Sequence, residues 1–267
     1  MTIFEAIILG IVQGLTEFLP ISSSGHLVIF ETWFALDAEK LRSFDVVLHV
    51  GTLLAIFMYF RKDFIRIIRD MLSGRFRMAV LLVLGTIPAV IVGFLLSDLL
   101  DETFRDARMV AYTLIIFSLL FFIAERFPRE KKYALAEINI KHPFRDFFVA
   151  MFIGVMQALA LIPGVSRSGA TISAGLLMGM KREEAARFSF ILGSIAILGA
   201  AVLTGKDVVE GALSLPPPTV FLSGLIASVV SGYLTIAFLM KFLRTHTLYA
   251  FAFYRIFIGV IALLFLN

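Results

Sequence analysis

The sequence predicts an all-α polytopic membrane protein with six transmembrane helices and two re-entrant helical hairpins, arranged as an inverted-topology repeat. Composition, interrupted apolar runs and the placement of basic residues lead to this fold class. Of 267 residues, 60% are hydrophobic and 16% are charged, and the mean hydropathy is +0.95. Soluble domains carry about 25% charged residues, so a soluble fold is a poor explanation of this composition.

Apolar segments of membrane-spanning length recur along the chain. Six are uninterrupted: 44–60, 78–97, 110–124, 188–204, 220–239 and 250–266. Two further apolar regions, 1–35 and 147–180, are broken near the middle by LPISSSGH and IPGVSRSGAT. Such a break leaves backbone N–H and C=O groups unpaired, which is tolerated only inside protein or beside a wet cavity. Both regions are therefore predicted to enter the membrane and turn back.

The basic residues predict the orientation of these segments. Loops 61–77, 125–146, 181–187 and 240–249 together carry 17 Lys and Arg, whereas loops 36–43, 98–109 and 205–219 carry 5. The positive-inside rule places the first group in the cytoplasm, which puts both termini outside. The pI near 9.4 then indicates contact with the anionic cytoplasmic leaflet and not with nucleic acid. Because the chain has no cysteine, disulfides and thiol nucleophiles are excluded.

The two broken regions align without gaps at an offset of 144 residues. Identical pairs at this offset are Gly10 and Gly154, Gln13 and Gln157, Leu15 and Leu159, Ser22 and Ser166, Ser24 and Ser168, and Gly25 and Gly169. This predicts a single integral membrane domain, residues 1–267, with repeat 1 at about 1–124 and repeat 2 at about 147–267. Inverted repeats built around broken helices place a polar site near the bilayer midplane. The two breaks are thus expected to face each other in one cavity.

The polar residues of the breaks favour phosphate chemistry. Arg167 lies in an apolar region, where insertion costs about 2.5–3.5 kcal/mol, and its donors suit bidentate phosphate binding. Glu17 lies one turn after Gln13, where the pair could hold a divalent ion or Glu17 could act as a general base. His26 can exchange a proton near neutral pH, and a neighbouring serine can attack. The structural alternative is that Arg167 snorkels or pairs with Glu17 and that His26 caps a helix.

Two other polar residues lie inside predicted spans. His49 either lines the cavity or makes a structural hydrogen bond, and the sequence does not favour one over the other. Arg255 is expected to snorkel or to brace the last helix and not to bind substrate.

The sequences GIVQGLTEFLPISSSGHL and PGVSRSGATISAGLLMG resemble the two signature regions of the bacterial undecaprenyl-diphosphate phosphatase family, also called the bacitracin-resistance family. AFYRI near the C-terminus resembles a third shared segment, and the resemblance extends over essentially the whole chain. It implies a multi-pass enzyme of the bacterial inner membrane that removes the terminal phosphate of undecaprenyl diphosphate. This reaction recycles the lipid carrier for cell-wall synthesis and contributes to bacitracin resistance.

The resemblance also implies roles for particular residues. The expected catalytic residues are Glu17, Ser23, His26 and Arg167. The expected substrate-binding residues are Ser22, Ser24, Gly25, Gly164, Ser166, Ser168 and Thr171. A divalent cation, Mg²⁺ or Ca²⁺, is expected at Glu17 and Gln13, although the family pattern often has a second glutamate where this chain has Gln13.

The implied partners are a polyprenyl diphosphate and membrane lipids, with a homodimer as a further expectation and no nucleic acid. The active site is expected to open to the extracytoplasmic side.

Transport is the competing function, because secondary transporters share inverted repeats and midplane anion sites. A carrier needs neither a nucleophile nor a proton-transfer group, so His26 beside serines favours an enzyme. An acid-phosphatase-type lipid phosphatase would need a later histidine after the Ser-Arg pair, and the matching position is Ser173.

Overall fold

The computed structural model describes residues 1–34, 38–104, 106–126, 143–211 and 217–265, and these residues form helices without any strand. The helices are α1 (Ile3–Phe18), α2 (Ser23–Phe34), α3 (Ala38–Tyr59), α4 (Arg61–Leu72), α5 (Arg77–Phe104), α6 (Ala107–Arg126), α7 (Pro143–Leu159), α8 (Arg167–Leu177), α9 (Arg182–Val209), α10 (Pro218–Phe242) and α11 (Tyr249–Phe265). The all-α polytopic fold class is confirmed. Of the predicted loops, 36–43, 98–109, 125–146 and 205–219 lie wholly or partly outside the described residues.

Helices long and apolar enough to cross a membrane account for four of the six predicted spans: Arg77–Leu96 within α5, α6, α9 and α10. The predicted span 44–60 corresponds to the end of α3, which makes a fifth span if it is counted with α4 across a bend of 74°. The predicted span 250–266 corresponds to α11, which is apolar but has only 17 residues. The count of six is therefore not confirmed, whereas the multi-span character is.

The two predicted re-entrant regions form helix pairs with a polar turn between their members. Region 1–35 forms α1 and α2, and region 147–180 forms α7 and α8. We call the turn residues 19–26 the first tip and the equivalent residues 163–170 the second tip. Each break falls where the sequence predicts it, with Pro20 in the turn after α1 and Pro163 in the turn after α7; the missing N–H and fixed φ of proline disfavour a continued helix.

Glycines bring the first helix of each pair against a long helix from the other half of the chain. An added Cβ at Gly10 in α1 would lie 2.6 Å from the carbonyl oxygen of Gly224 in α10. An added Cβ at Gly154 in α7 would lie at the same distance from the carbonyl oxygen of Gly85 in α5. Small residues permit this close approach of helix backbones in membranes. The equivalent glycines thus make equivalent contacts, which supports the two-repeat division; that division itself stays a prediction.

The two tips also have the same local geometry. Ser22 and Ser166 both have φ of 75°, and the structure shows no other non-glycine residue with positive φ in the described chain. In each tip the serine Oγ accepts a hydrogen bond of 3.2 Å from a backbone N–H three residues on, at Gly25 and at Gly169. A left-handed backbone at a non-glycine residue costs about 1–3 kcal/mol and is concentrated at functional sites. The shared strain therefore directs attention to the tips.

Candidate active site

Glu17 stands at the centre of the polar residues that the tips bring together. It lies in the last turn of α1, and its side chain is only 5% exposed. Its Oε2 accepts hydrogen bonds from Ser23 Oγ at 2.7 Å and from Gln13 Nε2 at 3.1 Å. The i, i+4 placement of Gln13 and Glu17 on one helix face is thus confirmed. A carboxylate bonded to a serine hydroxyl is placed to take the proton of that serine.

Arg167, the first residue of α8, binds the other oxygen of the same carboxylate. Its Nη2 forms a short ion pair with Glu17 Oε1, and its Nη1 donates to the carbonyl oxygen of Gly193 at 3.0 Å. The contact joins residues 150 positions apart, so it depends on the packing of one tip against the other. The structural alternative, in which Arg167 pairs with Glu17, is therefore observed. The Arg167 side chain is 24% exposed, so the residue is not sealed off from an incoming anion.

Backbone contacts between the tips confirm that the two breaks face each other. Ser168 Oγ donates to the carbonyl oxygen of Leu19 at 3.2 Å. An added Cβ at Gly25 would lie 3.3 Å from Gly164 Cα, so any side chain there would press on the opposite tip. Gly164 itself has φ of 92°, and a Cβ there would lie 2.7 Å from the carbonyl oxygen of Val110. Gly25 is favoured because the two tips meet there, whereas Gly164 is favoured because its backbone is left-handed and lies against α6.

Free backbone donors surround the strained serine of each tip. The N–H groups of residues 22–24 and of residues 166–168 have no hydrogen-bond acceptor among the described residues. Each set opens a helix, α2 or α8, and helix N-termini carry partial positive charge. Successive free N–H groups at a left-handed turn form a concave site for anions. With Arg167 beside them, the tips present a site suited to phosphate oxygens.

His26 is placed differently from the expectation that it works beside Glu17. Its Nδ1 lies 2.7 Å from the carbonyl oxygen of Ser22, and its Nε2 lies 2.9 Å from the hydroxyl of Tyr254. A carbonyl only accepts, so Nδ1 carries a proton, and in the neutral ring Nε2 accepts from the tyrosine. The ring also stacks on Tyr254 with an interplanar angle of 3°. No hydrogen bond joins His26 to Glu17 or Arg167 in the described structure, so its catalytic role stays a prediction.

The structure places His49 of α3 beside Glu17, a position that the sequence did not predict for it. Its Nε2 lies 3.7 Å from Glu17 Oε2, and its Nδ1 donates to the carbonyl oxygen of Asp45 at 2.7 Å. His49 also lines a cavity of about 270 Å³ together with Ser24, between α2, α3 and α9. The prediction that it either lines the cavity or bonds structurally is resolved, because it does both. Its position inside an apolar span was the sequence signal that could have found it.

Comparison with known proteins places the chain in a family. The family model described as "Bacitracin resistance protein BacA" matches residues 6–261. The chain belongs to the BacA family. A protein of Trichlorobacter lovleyi named undecaprenyl-diphosphatase is 43% identical over 99% of this chain and 98% of its own length. Proteins of the same name from Rubrobacter xylanophilus, at 41% over 96% and 95%, and Methanosphaera stadtmanae, at 39% over 99% and 98%, are similar to it throughout.

The remaining residues expected to bind substrate in a BacA protein differ in how accessible their hydroxyls are. Ser24 is exposed and lines the cavity. Thr171 is buried, and its hydroxyl bonds to the carbonyl oxygen of Arg167 at 2.7 Å and to Ser189 Oγ at 2.5 Å. Its contact with phosphate therefore stays a prediction. Ser166 and Ser168 lie 3.3 Å apart between their Oγ atoms and shape the second tip.

The residues at the centre do not form a metal site of their own. Across the described chain, no three His, Cys, Asp or Glu side chains come together as a metal-binding group. The Glu17 carboxylate is already held by hydrogen-bond donors and by the Arg167 cation, which disfavours a dication at the same oxygens. Gln13 Oε1 is buried without a hydrogen-bond partner, but Oε1 of the equivalent Gln157 is too. The amide nitrogen of Gln157 donates to the carbonyl oxygen of Gly85 and contacts no acid, so an unpartnered glutamine oxygen does not by itself indicate a metal. The divalent cation stays a prediction, and no catalytic step is derived through it.

Proposed function

We propose that this protein hydrolyses undecaprenyl diphosphate to undecaprenyl phosphate and inorganic phosphate. The observation that carries the proposal is the Glu17 carboxylate, with Ser23 Oγ on one oxygen and the Arg167 guanidinium on the other. These two contacts support an assignment of Glu17 as the base, Ser23 as the nucleophile and Arg167 as the phosphate-binding cation. The names of the relatives support the same substrate.

The cavity beside the tips supports binding of the head end of a long lipid. Ser24, Asp45 and His49 supply its polar wall, and apolar side chains such as Leu27 and Ile197 supply the rest. Its volume of about 270 Å³ lies below the 300–1,000 Å³ usual for pockets that enclose drug-sized ligands. The cavity therefore suits a diphosphate and the first part of its chain, while the rest of the isoprenoid lies among the membrane-facing helices.

In the proposed reaction the Oγ of Ser23 attacks the terminal phosphorus. A bond forms between Oγ and phosphorus, the bridging P–O bond breaks, and undecaprenyl phosphate leaves. The Ser23 proton passes to Glu17 Oε2, 2.7 Å away. Arg167 and the free N–H groups of the two tips stabilise the charge that develops on the phosphoryl oxygens. Water then attacks the phosphoserine and the Oγ–phosphorus bond breaks. Glu17 returns its proton to Ser23 Oγ, and the protons of the water leave with inorganic phosphate.

The placement in the membrane is part of the proposal. The charge distribution supports a bacterial inner-membrane location with both termini outside and the active site open to the extracytoplasmic side. This would let the enzyme act on carrier lipid released during cell-wall synthesis. A homodimer stays a prediction.

The test is phosphate release from undecaprenyl diphosphate by the purified protein in detergent, with and without chelator. The wild type should release phosphate, and Arg167→Ala should lower kcat/KM by at least about 100-fold because it removes a charged transition-state contact. Glu210→Gln, which removes an exposed acid paired with Lys206, is the matched control and should keep full activity. Detergent abolishes any gradient, so phosphate release also separates hydrolysis from transport. An inactive wild type would refute the proposal.

A further inference from the structure

We infer that Tyr254 and Arg255, adjacent residues of α11, are positioning residues that hold the two tips at the separation the reaction needs. Tyr254 bonds to the first tip and Arg255 to the second. One helix turn near the C-terminus thereby contacts both halves of the active site. The inference rests on the proposed function for its catalytic consequence, and on geometry alone for the contacts.

Tyr254 holds the first tip through His26. The tyrosine hydroxyl donates to Nε2 of the neutral ring, and Nδ1 of the same ring donates to the carbonyl oxygen of Ser22. That carbonyl belongs to the residue with φ of 75°. A chain of two hydrogen bonds thus runs from α11 to the strained turn that precedes Ser23. His26 in this arrangement transmits position, and the hydroxyl of Tyr254 fixes its ring.

Arg255 holds the second tip directly. Its side chain is completely buried, so the expectation that it snorkels is wrong and the expectation that it braces is confirmed. Its Nη1 donates to the carbonyl oxygen of Val165 at 2.8 Å, and its Nη2 donates to that of Gly164 at 2.9 Å. Its Nε donates to Ser118 Oγ in α6 at 3.1 Å. The fixed fork of the guanidinium suits two neighbouring carbonyls, which an ammonium group does not match.

These bonds determine which way the free donors of the second tip point. In a planar trans peptide, the carbonyl of one residue and the N–H of the next point in opposite directions. Since the Val165 carbonyl points at Arg255, the Ser166 N–H points away from it. The Ser166 N–H is one of the free donors of the second tip and lies just before Arg167 in the chain. The buried charge of Arg255 therefore orients the peptide that leads into the phosphate-binding residues.

Buried arginine without a carboxylate is costly in a membrane protein. The hydrogen bonds of Arg255 in the described structure go to backbone carbonyls and one serine, together with a cation–π contact to Phe121 at 5.1 Å from the ring centroid. An apolar residue would fill the same space without that cost if α11 only needed to pack. The two tip carbonyls that Arg255 fixes explain why an arginine lies here.

The first experiment compares Tyr254→Phe and Arg255→Lys with wild type in phosphate release. Tyr254→Phe keeps the stacked ring and removes one neutral hydrogen bond, so kcat should fall about 3- to 10-fold. Arg255→Lys keeps the charge but loses the fork, so kcat should fall about 10- to 100-fold. KM should change little in both, because the lipid-facing surface is untouched. Tyr249→Phe is the matched control and should behave as wild type. Tyr249 lies in the same helix as Tyr254, and its ring stacks on Phe122 of α6.

A double-mutant cycle and hydrogen exchange separate positioning from general damage. In a His26→Phe background the hydroxyl of Tyr254 has no partner, so adding Tyr254→Phe should lower kcat no further. By exchange mass spectrometry, Tyr254→Phe should speed exchange in residues 22–26 only, through the bonded amides of Gly25 and His26. Arg255→Lys should speed exchange in residues 163–169 only, through the bonded amides of Val165 and Gly169. Wild-type kcat and exchange in both variants would overturn the inference, as would faster exchange spread over the whole chain. If these exchange patterns appear but wild type releases no phosphate, the contacts stand and the proposed function fails.

Discussion

Glu17→Gln should separate catalysis from phosphate binding. In the proposed mechanism Glu17 takes the proton of Ser23, and a glutamine amide accepts a hydrogen bond without taking that proton. Loss of a general base lowers kcat about 10²–10⁴-fold. The same carboxylate also occupies Arg167, so it competes with an incoming phosphate for the guanidinium. Inorganic phosphate should therefore inhibit the remaining activity of Glu17→Gln at a lower concentration than it inhibits the wild type.

The size of the binding gain follows from burial. The Glu17 side chain is 5% exposed, so solvent screens its charge little. Removing a neighbouring negative charge of this kind should strengthen phosphate binding by about 1–2 kcal/mol, which corresponds to about 5- to 30-fold in Kd. Arg167→Gln should do the reverse and weaken phosphate binding. Isothermal titration of phosphate and steady-state phosphate release measure the two quantities independently.

Glu210→Gln serves as the control, because it removes an exposed acid that forms a surface pair with Lys206. Thermal unfolding shows whether Glu17→Gln still folds. The reasoning is refuted if Glu17→Gln keeps near-wild-type kcat, since Glu17 would then not be the base. It is also refuted if phosphate binds more weakly to Glu17→Gln, since the carboxylate would then be aiding the anion site.

Three further changes test other parts of the site. Ser23→Ala should lower kcat at least about 100-fold, whereas Ser24→Ala should cost less than about 10-fold; full turnover by Ser23→Ala would favour direct attack by water. Gly164→Ala should lower stability by at least about 2 kcal/mol, because φ is 92° and a Cβ meets a backbone carbonyl. Gly199→Ala, with nothing within 4 Å, is its control in thermal unfolding. His49→Gln should lower kcat about 10-fold by removing the imidazole from beside the base, and added imidazole should restore part of the loss. Wild-type kcat in this variant would make His49 a structural residue.

The sequence predicts the tips well because their cause is local. Proline, glycine and consecutive serines interrupt apolar runs, and an interrupted helix in lipid must be buried against protein. The Gln13 to Glu17 spacing likewise follows from helix geometry. The same reasoning identified Arg167 as costly in an apolar region, and its functional role stays a prediction. These inferences need only the residues within a few turns of each other.

Contacts that depend on helix packing could not be derived in this way. The bond from His26 to Tyr254 spans 228 residues, and those of Arg255 reach α6 and the second tip. Their partners follow from the rotation of each helix about its axis, which a hydropathy pattern does not determine. The sequence thus ranked His26 above His49, while the structure places His49 beside Glu17 and His26 against α11. The span count of six is not confirmed for a related reason, since α11 is apolar but short.

The repeat explains how two similar turns produce one asymmetric site. At the offset of 144 residues, Ser22 corresponds to Ser166, and both have the same φ and the same Oγ bond to a glycine N–H. The next residue differs: it is Ser23 in the first tip and Arg167 in the second. Equivalent backbones therefore present a serine hydroxyl from one side and a guanidinium from the other. Glu17 has no acidic counterpart, because the equivalent position is a leucine, and its two oxygens bind these two unlike residues. In the proposed mechanism, the two similar turns each supply N–H donors to phosphate, and the difference at the adjacent position turns a symmetric anion site into one that can cleave a phosphoanhydride.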